Sequence, residues 1–231
     1  MLWLESKGLR RHRRETPPLF VNNQTRRELR RRLRKSRRAV SGNHRQRSEK
    51  LIARRVARLP VYQAASCIAV YLSFDGEVDL SELMKTANMS GKTLVLPVIR
   101  RRSGSGMCFR RYRPGDPVRY NRFGIREPCL SDRRRIRPSS IDLVLMPVVG
   151  FDPSGTRLGM GGGFYDRYFA RLAKRPGLHN RLVGIAFECQ KIEHLQRQAW
   201  DIPMTAVVTE TRVYRSAGAP GDGRPDREEN K

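Results

Sequence analysis

Histidine is scarce: the chain has four, His12, His44, His179 and His194, and none lies near a plausible nucleophile or a paired acid. A histidine-based triad is therefore unsupported, and each ring is expected at the surface. HExxH and Cys-x-x-Cys patterns are missing as well. The four cysteines, Cys67, Cys108, Cys129 and Cys189, stand far apart. Three adjoin apolar segments, so they read as small buried hydrophobes in a reducing cytoplasm, not as disulfide halves or zinc ligands. No apolar run approaches the ~20 residues that cross a bilayer. The opening MLWLESKGLRRHRRE also lacks the apolar stretch of a secretion signal, so no membrane association is expected.

Acidic residues are in short supply too. Lys+Arg number 48 against 22 Asp+Glu, a net charge of +26 over 231 residues. Such a chain attracts polyanions: nucleic acid, nucleotides or polycarboxylates. The excess is concentrated, since residues 1–60 hold 20 Lys+Arg and 4 Asp+Glu. Charge alone does not separate an enzyme of anionic substrates from a nucleic-acid binder.

What is present centres on residues 141–173. IDLVLMPVVGF is an almost unbroken apolar run, as expected of a strand buried on both faces of a parallel sheet. FYDRYFARLA has Phe164, Tyr168 and Leu172 at four-residue intervals, on one face of a helix. Between them lie Gly155, Gly159, Gly161, Gly162 and Gly163, with Arg157 inside the loop and Asp166 in the first helical turn. A strand, a glycine loop and a helix start present free backbone N–H groups and a positive helix end to an anion. An architectural turn also uses glycine for its positive φ, though it needs fewer than five in nine residues. The loop is not a Walker A motif, because no Gly-Lys-Ser/Thr closes it. Nor is it the dinucleotide fingerprint, because Phe164 occupies the third glycine position. By itself it indicates a phosphate ligand of open class, held in part through a divalent metal.

Residues 1–22 are basic and aperiodic and are expected to form a disordered leader, as is the tail 216–231. Residues 23–215 then make one domain. From Asn23 a very basic helix begins, with Thr25 as a cap and Leu29, Leu33 and Val40 as a sparse apolar stripe. Its arginines from Arg26 to Arg38 read mostly as a solvated face, with one or two able to reach a phosphate. A second helix restarts at Ser41 and buries Leu51, Ile52, Val56 and Leu59. SCIAVYL (66–72), KTLVLPVI (92–99), MCFRRY (107–112), RLVGIAF (181–187) and MTAVVTE (204–210) read as strands, and SELMKTANMS as a helix capped by Asp79 or Ser81. Residues 113–140 read as irregular. The alternation predicts an α/β fold: a single three-layer α/β/α domain with a mostly parallel central sheet and basic helices at the N-terminus.

Three acids stand at strand ends and loop edges: Glu77, Asp166 and Asp201. Carboxylates beside a phosphate loop commonly hold Mg²⁺. Each also has an ordinary role open to it. Glu77 can be a solvated turn acid, Asp166 a helix-start acid favoured by the dipole, and Asp201 a turn residue before Pro203.

The string FDPSGTRLGMGGGFYDRYF, with LSFDGEVD upstream and WDIPMTAVVTE downstream, resembles the 5-formyltetrahydrofolate cyclo-ligases (5,10-methenyltetrahydrofolate synthetases), most closely their bacterial branch. The likeness runs from about Thr25 to Tyr214. It implies ATP-dependent cyclisation of 5-formyltetrahydrofolate to 5,10-methenyltetrahydrofolate, with release of ADP and phosphate, through a phosphorylated formyl (imidate) intermediate. Carried over by position, it implies ATP contacts along Arg157, Leu158, Gly159, Met160, Gly161, Gly162, Gly163, Phe164 and Tyr165, with Met160 to Phe164 also bordering the folate. Arg26 and Arg30, in the basic-x-x-Leu-Arg element, would reach the nucleotide. Asp166 and Asp201 would hold Mg²⁺, Glu77 with Leu72 would meet the pterin, and turnover would depend on Arg157 and Asp166. A ring of Phe164 or Tyr165 could stack on the pterin. Some relatives carry basic residues where Met160 and Gly162 stand, many a lysine at Arg26, and often an aspartate at Thr205. The resemblance implies a folate partner with or without a polyglutamate tail; a cytoplasmic monomer is expected, and nucleic acid is not an expected partner. Two alternatives stay open: a nucleic-acid-binding protein on a degenerate ligase-like fold, using the basic N-terminal segment, and a relative acting on another formyl compound.

Overall fold

A computed structural model describes residues 23–100, 106–129, 136–170 and 182–216. The expected leader, Leu172, His12, His179 and the tail beyond Ser216 lie outside the described residues. Seven strands make the central sheet. In spatial order they are β11 (Val213–Arg215), β10 (Ala206–Val208), β9 (Leu182–Ile185), β6 (Leu143–Pro147), β1 (Cys67–Ala69), β2 (Thr93–Ile99) and β3 (Met107–Tyr112). The five inner strands run parallel, and only the edges β3 and β11 are antiparallel. Parallel strands buried on both faces need apolar side chains pointing both ways. Ile68, Leu94 and Leu143 accordingly enter one core, while their neighbours Ala69, Val95 and Val144 enter the other.

Helices cover both faces. α1 (Asn23–Ala39), α2 (Gly42–Ala57), α3 (Pro60–Ala64), α4 (Ser81–Met89) and α5 (Phe164–Ala170) follow in chain order. Ile52 and Val56 of α2 and Leu83 and Met84 of α4 pack on the first core; Phe169 of α5 packs on the second. The three-layer α/β reading holds. α1 begins at Asn23, so Thr25 lies within it and not at its cap. Residues 113–140 are less irregular than expected, because β4 (Val118–Tyr120) and β5 (Arg126–Pro128) pair there as an antiparallel hairpin. A second short pair joins β7 (Gly150–Phe151) to β8 (Arg157–Leu158). None of the cysteines is fully buried: Cys67, Cys108 and Cys129 are half-buried and Cys189 is exposed. No helix among the described residues is long and apolar enough to cross a membrane.

This topology sets the site. The chain leaves β1 toward β2 and returns on the other flank of β1 as β6. Loops leaving the carboxyl ends of β1 and β6 therefore diverge, and a crevice opens between them, where open α/β sheets bind ligands. One of these loops carries Glu77 and the other leads to the glycine stretch.

Candidate active site

A cleft of about 550 Å³ lies against the glycine stretch, lined by Arg26 and Arg30 of α1, Arg157 of β8, Gly159, Gly161, Gly163, Asp166, Arg167 and Ala170, with Trp200 and Asp201 on the far side. Arg26 Nη2 lies 3.3 Å from Asp201 Oδ2, and Arg30 Nε donates to the Gly159 carbonyl at 2.9 Å. Arg157 donates to the Ile202 carbonyl and forms an ion pair with Asp166. Gly161 has φ +100°, a conformation that L side chains rarely adopt. A Cβ there would make ordinary contact with the Arg30 guanidinium at 3.7 Å, so it is the backbone angle, not the space, that calls for glycine. Four arginines and two aspartates line one cleft, which leaves it positive. Burial, followed by the neighbouring charge of Arg26, lowers the Arg30 pKa. Arg26 Nε is buried with no hydrogen-bond partner among the described residues. Such a cleft is built for an anion.

Arg157 and the segment leading to Asp201 are held by a residue that the sequence reading passed over. Asp152, 1% exposed, accepts the N–H groups of Ser154 and Thr156 on Oδ1 at 3.0 and 3.1 Å. Its Oδ2 accepts the Leu195 N–H at 2.9 Å. One buried carboxylate thus shapes the turn before Arg157 and anchors the strand-to-loop segment ahead of Asp201. The Asp-x-Ser-x-Thr spacing is a legible sign of such a turn.

Glu77 lies in the other loop, 7% exposed. Its Oε2 accepts the Phe74 N–H at 3.1 Å and its Oε1 is 3.8 Å from Arg37 Nη1. Burial pushes Glu77 up to about 7, against the pull of Arg37 and the Phe74 N–H. Burial first, and then the Glu77 charge, raises the Tyr71 and Tyr165 pKa values, so the glycine-loop helix and the Glu77 loop lie near one another. The hairpin tip closes the same region. Phe123 meets Phe164 edge-on at 5.8 Å, and Gly124 lies against the Phe74 ring.

The expected residues therefore separate into groups. Arg26, Arg30, Arg157, Gly159, Gly161, Gly163, Asp166 and Asp201 converge on one cleft. Glu77 and Tyr165 lie close enough to influence one another electrostatically. Leu158 turns away: its side chain is fully buried with Leu33, Val149 and Leu195, and its carbonyl accepts the Val149 N–H. Met160, 44% exposed, lines a separate arginine-rich groove with Arg27, Arg31 and Arg34. Leu72 is buried in the sheet core, and the Gly162 carbonyl accepts from Arg167. The sequence reading also missed Arg37, Asp75, Phe123 and Trp200.

No cluster of three or more His, Cys, Asp or Glu that could hold a metal occurs among the described residues. Mg²⁺ in phosphoryl-transfer sites is typically held by one or two carboxylates plus substrate phosphates, not by a protein cage. Asp166 and Asp201, lining one cleft, suit that mode.

A family model for the 5-formyltetrahydrofolate cyclo-ligases matches residues 22–210. The chain belongs to this family. It is 38% identical over 182 residues to the 5-formyltetrahydrofolate cyclo-ligase of Escherichia coli K12, covering 79% of this chain and 98% of that protein. It is 34% identical over 184 residues to the cyclo-ligase of Haemophilus influenzae, covering 80% and 97%. The NMR structure of Aquifex aeolicus 5,10-methenyltetrahydrofolate synthetase is similar with a TM-score of 0.69 at 34% identity, covering 88% of this chain and 97% of that one. The resemblance to the cyclo-ligases and the α/β fold expected from the alternation of strands and helices are both borne out. The matched span of this cyclo-ligase family member takes in Arg26, the glycine loop, Glu77 and Asp201 alike.

Proposed function

We propose that the chain is a 5-formyltetrahydrofolate cyclo-ligase that closes 5-formyltetrahydrofolate to 5,10-methenyltetrahydrofolate at the expense of ATP. The observation that carries this reading is the convergence of Arg26, Arg30 and Arg157 with Asp166 and Asp201 on the glycine-loop cleft, beside the buried Glu77. The triphosphate lies in the cleft, held by the three guanidiniums and by loop amides. Trp200, exposed at its edge, offers a flat surface to the base. Asp166 and Asp201 would hold Mg²⁺ together with the substrate, and the ion would supply charge shielding for phosphoryl transfer. Glu77 accepts from the pterin N–H groups, and Phe123 with Phe164 forms an aromatic wall.

The chemistry asks for no protein nucleophile. The formyl oxygen attacks the γ-phosphorus, ADP leaves, N10 closes on the activated carbon, and phosphate departs. What the protein supplies is alignment and positive charge where negative charge builds. Main-chain amides and Arg157 do this where some relatives carry extra basic residues in place of Met160 and Gly162. The test is turnover of purified protein with 5-formyltetrahydrofolate, ATP and Mg²⁺. The methenyl chromophore should appear with one ADP per product. ATP hydrolysis without that chromophore would remove the substrate assignment.

A further inference from the structure

Arg37 takes no part in the chemistry above, yet it is 1% exposed, the largest of the fully buried side chains. A guanidinium stays protonated in proteins, so its burial demands acceptors around it. They are present. Nε and Nη2 donate to the Asp75 carbonyl at 3.1 and 2.9 Å, Nη2 reaches Asp75 Oδ2 at 2.9 Å, and Nη1 donates to the Val148 carbonyl at 3.3 Å. Asp75 follows β1 and Val148 follows β6, so this one side chain spans the point where the sheet's strand order reverses. Asp75 has further cations in Arg34 and Arg38. Glu77 differs: Arg37 Nη1, at 3.8 Å, is its sole ion-pair partner among the described residues.

We propose that Arg37 is a positioning residue for the folate: it fixes the Asp75–Glu77 turn between the two strand ends and supplies the positive charge that keeps the Glu77 carboxylate an acceptor for pterin N–H groups. The inference rests on the pterin contact proposed for Glu77. Other groups face Glu77 as well. Asp75 shares its turn, Tyr71 follows β1, Tyr165 sits on α5, and Arg45 of α2 donates to the Gly76 and Glu77 carbonyls. Burial and Asp75 favour the protonated acid, while Arg37 and the Phe74 N–H oppose them and leave the midpoint at about 7. A carboxyl poised there loses its acceptor form at neutral pH once the cation is removed.

The Glu77 carboxyl can be titrated by infrared difference spectroscopy, with Glu77→Gln as reference, in wild type, Arg37→Lys and Arg37→Met. The wild-type midpoint should lie near 7. Lysine should keep it nearly in place, and methionine should raise it by about one unit or more. The KM for 5-formyltetrahydrofolate at neutral pH should rise about 10-fold in Arg37→Met, with KM for ATP changed less than about 2-fold. A folded Arg37→Met protein with an unshifted midpoint overturns the inference. Should that variant not fold, wild type and Glu77→Gln decide. The folate kcat/KM of wild type must rise through the Glu77 midpoint and that of Glu77→Gln must not; a rise common to both overturns the proposal. Absence of methenyl product from wild type would instead defeat the functional reading, with the infrared midpoints still reporting the Arg37–Glu77 coupling.

Discussion

Arg37 and Asp75, 38 residues apart, form an ion pair of 2.9 Å that is almost wholly buried and ties the first helix to the loop leaving the first strand of the sheet. Burial alone would raise the Asp75 carboxyl. Hydrogen bonds from Arg34 and Arg38 and the charge of Arg37 outweigh it and hold the group below the usual carboxylate range. Asp75→Asn leaves the Arg37 charge without its main counter-ion. It should cost about 3 kcal/mol at neutral pH by urea unfolding. The sign follows from the depressed pKa. This stabilisation is present above the unfolded carboxylate pKa and is lost as pH falls through the folded one, so wild type and variant should converge in acid. A variant as stable as wild type at neutral pH would show that the ion pairs of Asp75 add nothing to stability.

Glu77 works in the opposite direction. Its folded pKa is raised to about 7 from a reference of 4.5, so the folded state holds the proton more tightly than the unfolded chain. Its contribution therefore favours the folded state in acid and declines as pH rises from about 4.5 through about 7, by roughly 3 kcal/mol in all. Glu77→Gln should remove that slope from the pH–stability curve. A slope of the same size in the variant would assign it to another group.

Asp166 faces the cleft and is paired with Arg157. Asp166→Asn should lower kcat by about 100-fold or more, through loss of the proposed Mg²⁺ ligand and a misplaced Arg157, with the melting temperature little changed. Near-normal turnover would exclude Asp166 as a metal ligand. Asp201→Asn should behave similarly and, in addition, free Arg26.

Arg30 reaches the glycine loop from α1. Arg30→Met should raise KM for ATP about 10-fold and leave KM for 5-formyltetrahydrofolate within about 2-fold, if as proposed its donors meet phosphate. Equal effects on both substrates would mean that Arg30 acts by holding the loop shape and not by gripping the nucleotide.

The parallel core was legible because β6 and β9 are buried on both faces and read as unbroken apolar runs. The glycine loop was legible because its composition exceeds what a turn requires. The inward lean of α1 was not. Arg26, Arg30 and Arg37 lie on the helix face turned to the protein, but hydropathy counts every guanidinium as solvent-seeking. What draws them inward is distant in sequence: Asp75 for Arg37, and Asp201, 175 positions away, for Arg26. A few arginines of the basic first helix are thus met inside the domain, while the net charge of +26 remains. The β4–β5 hairpin escaped notice for another reason. Val118–Tyr120 is exposed at all three positions, so no alternation marks it. Phe123 at its tip, packed on Phe164, escaped with it.

The central claim is that α1 and the glycine loop together grip a triphosphate beside a reduced pterin. A crystal structure with a non-hydrolysable ATP analogue and 5-formyltetrahydrofolate tests it most directly. The account predicts phosphate oxygens within hydrogen-bond reach of Arg26, Arg30 and Arg157, and the pterin against Glu77. A triphosphate bound elsewhere, with that cleft vacant, would contradict it.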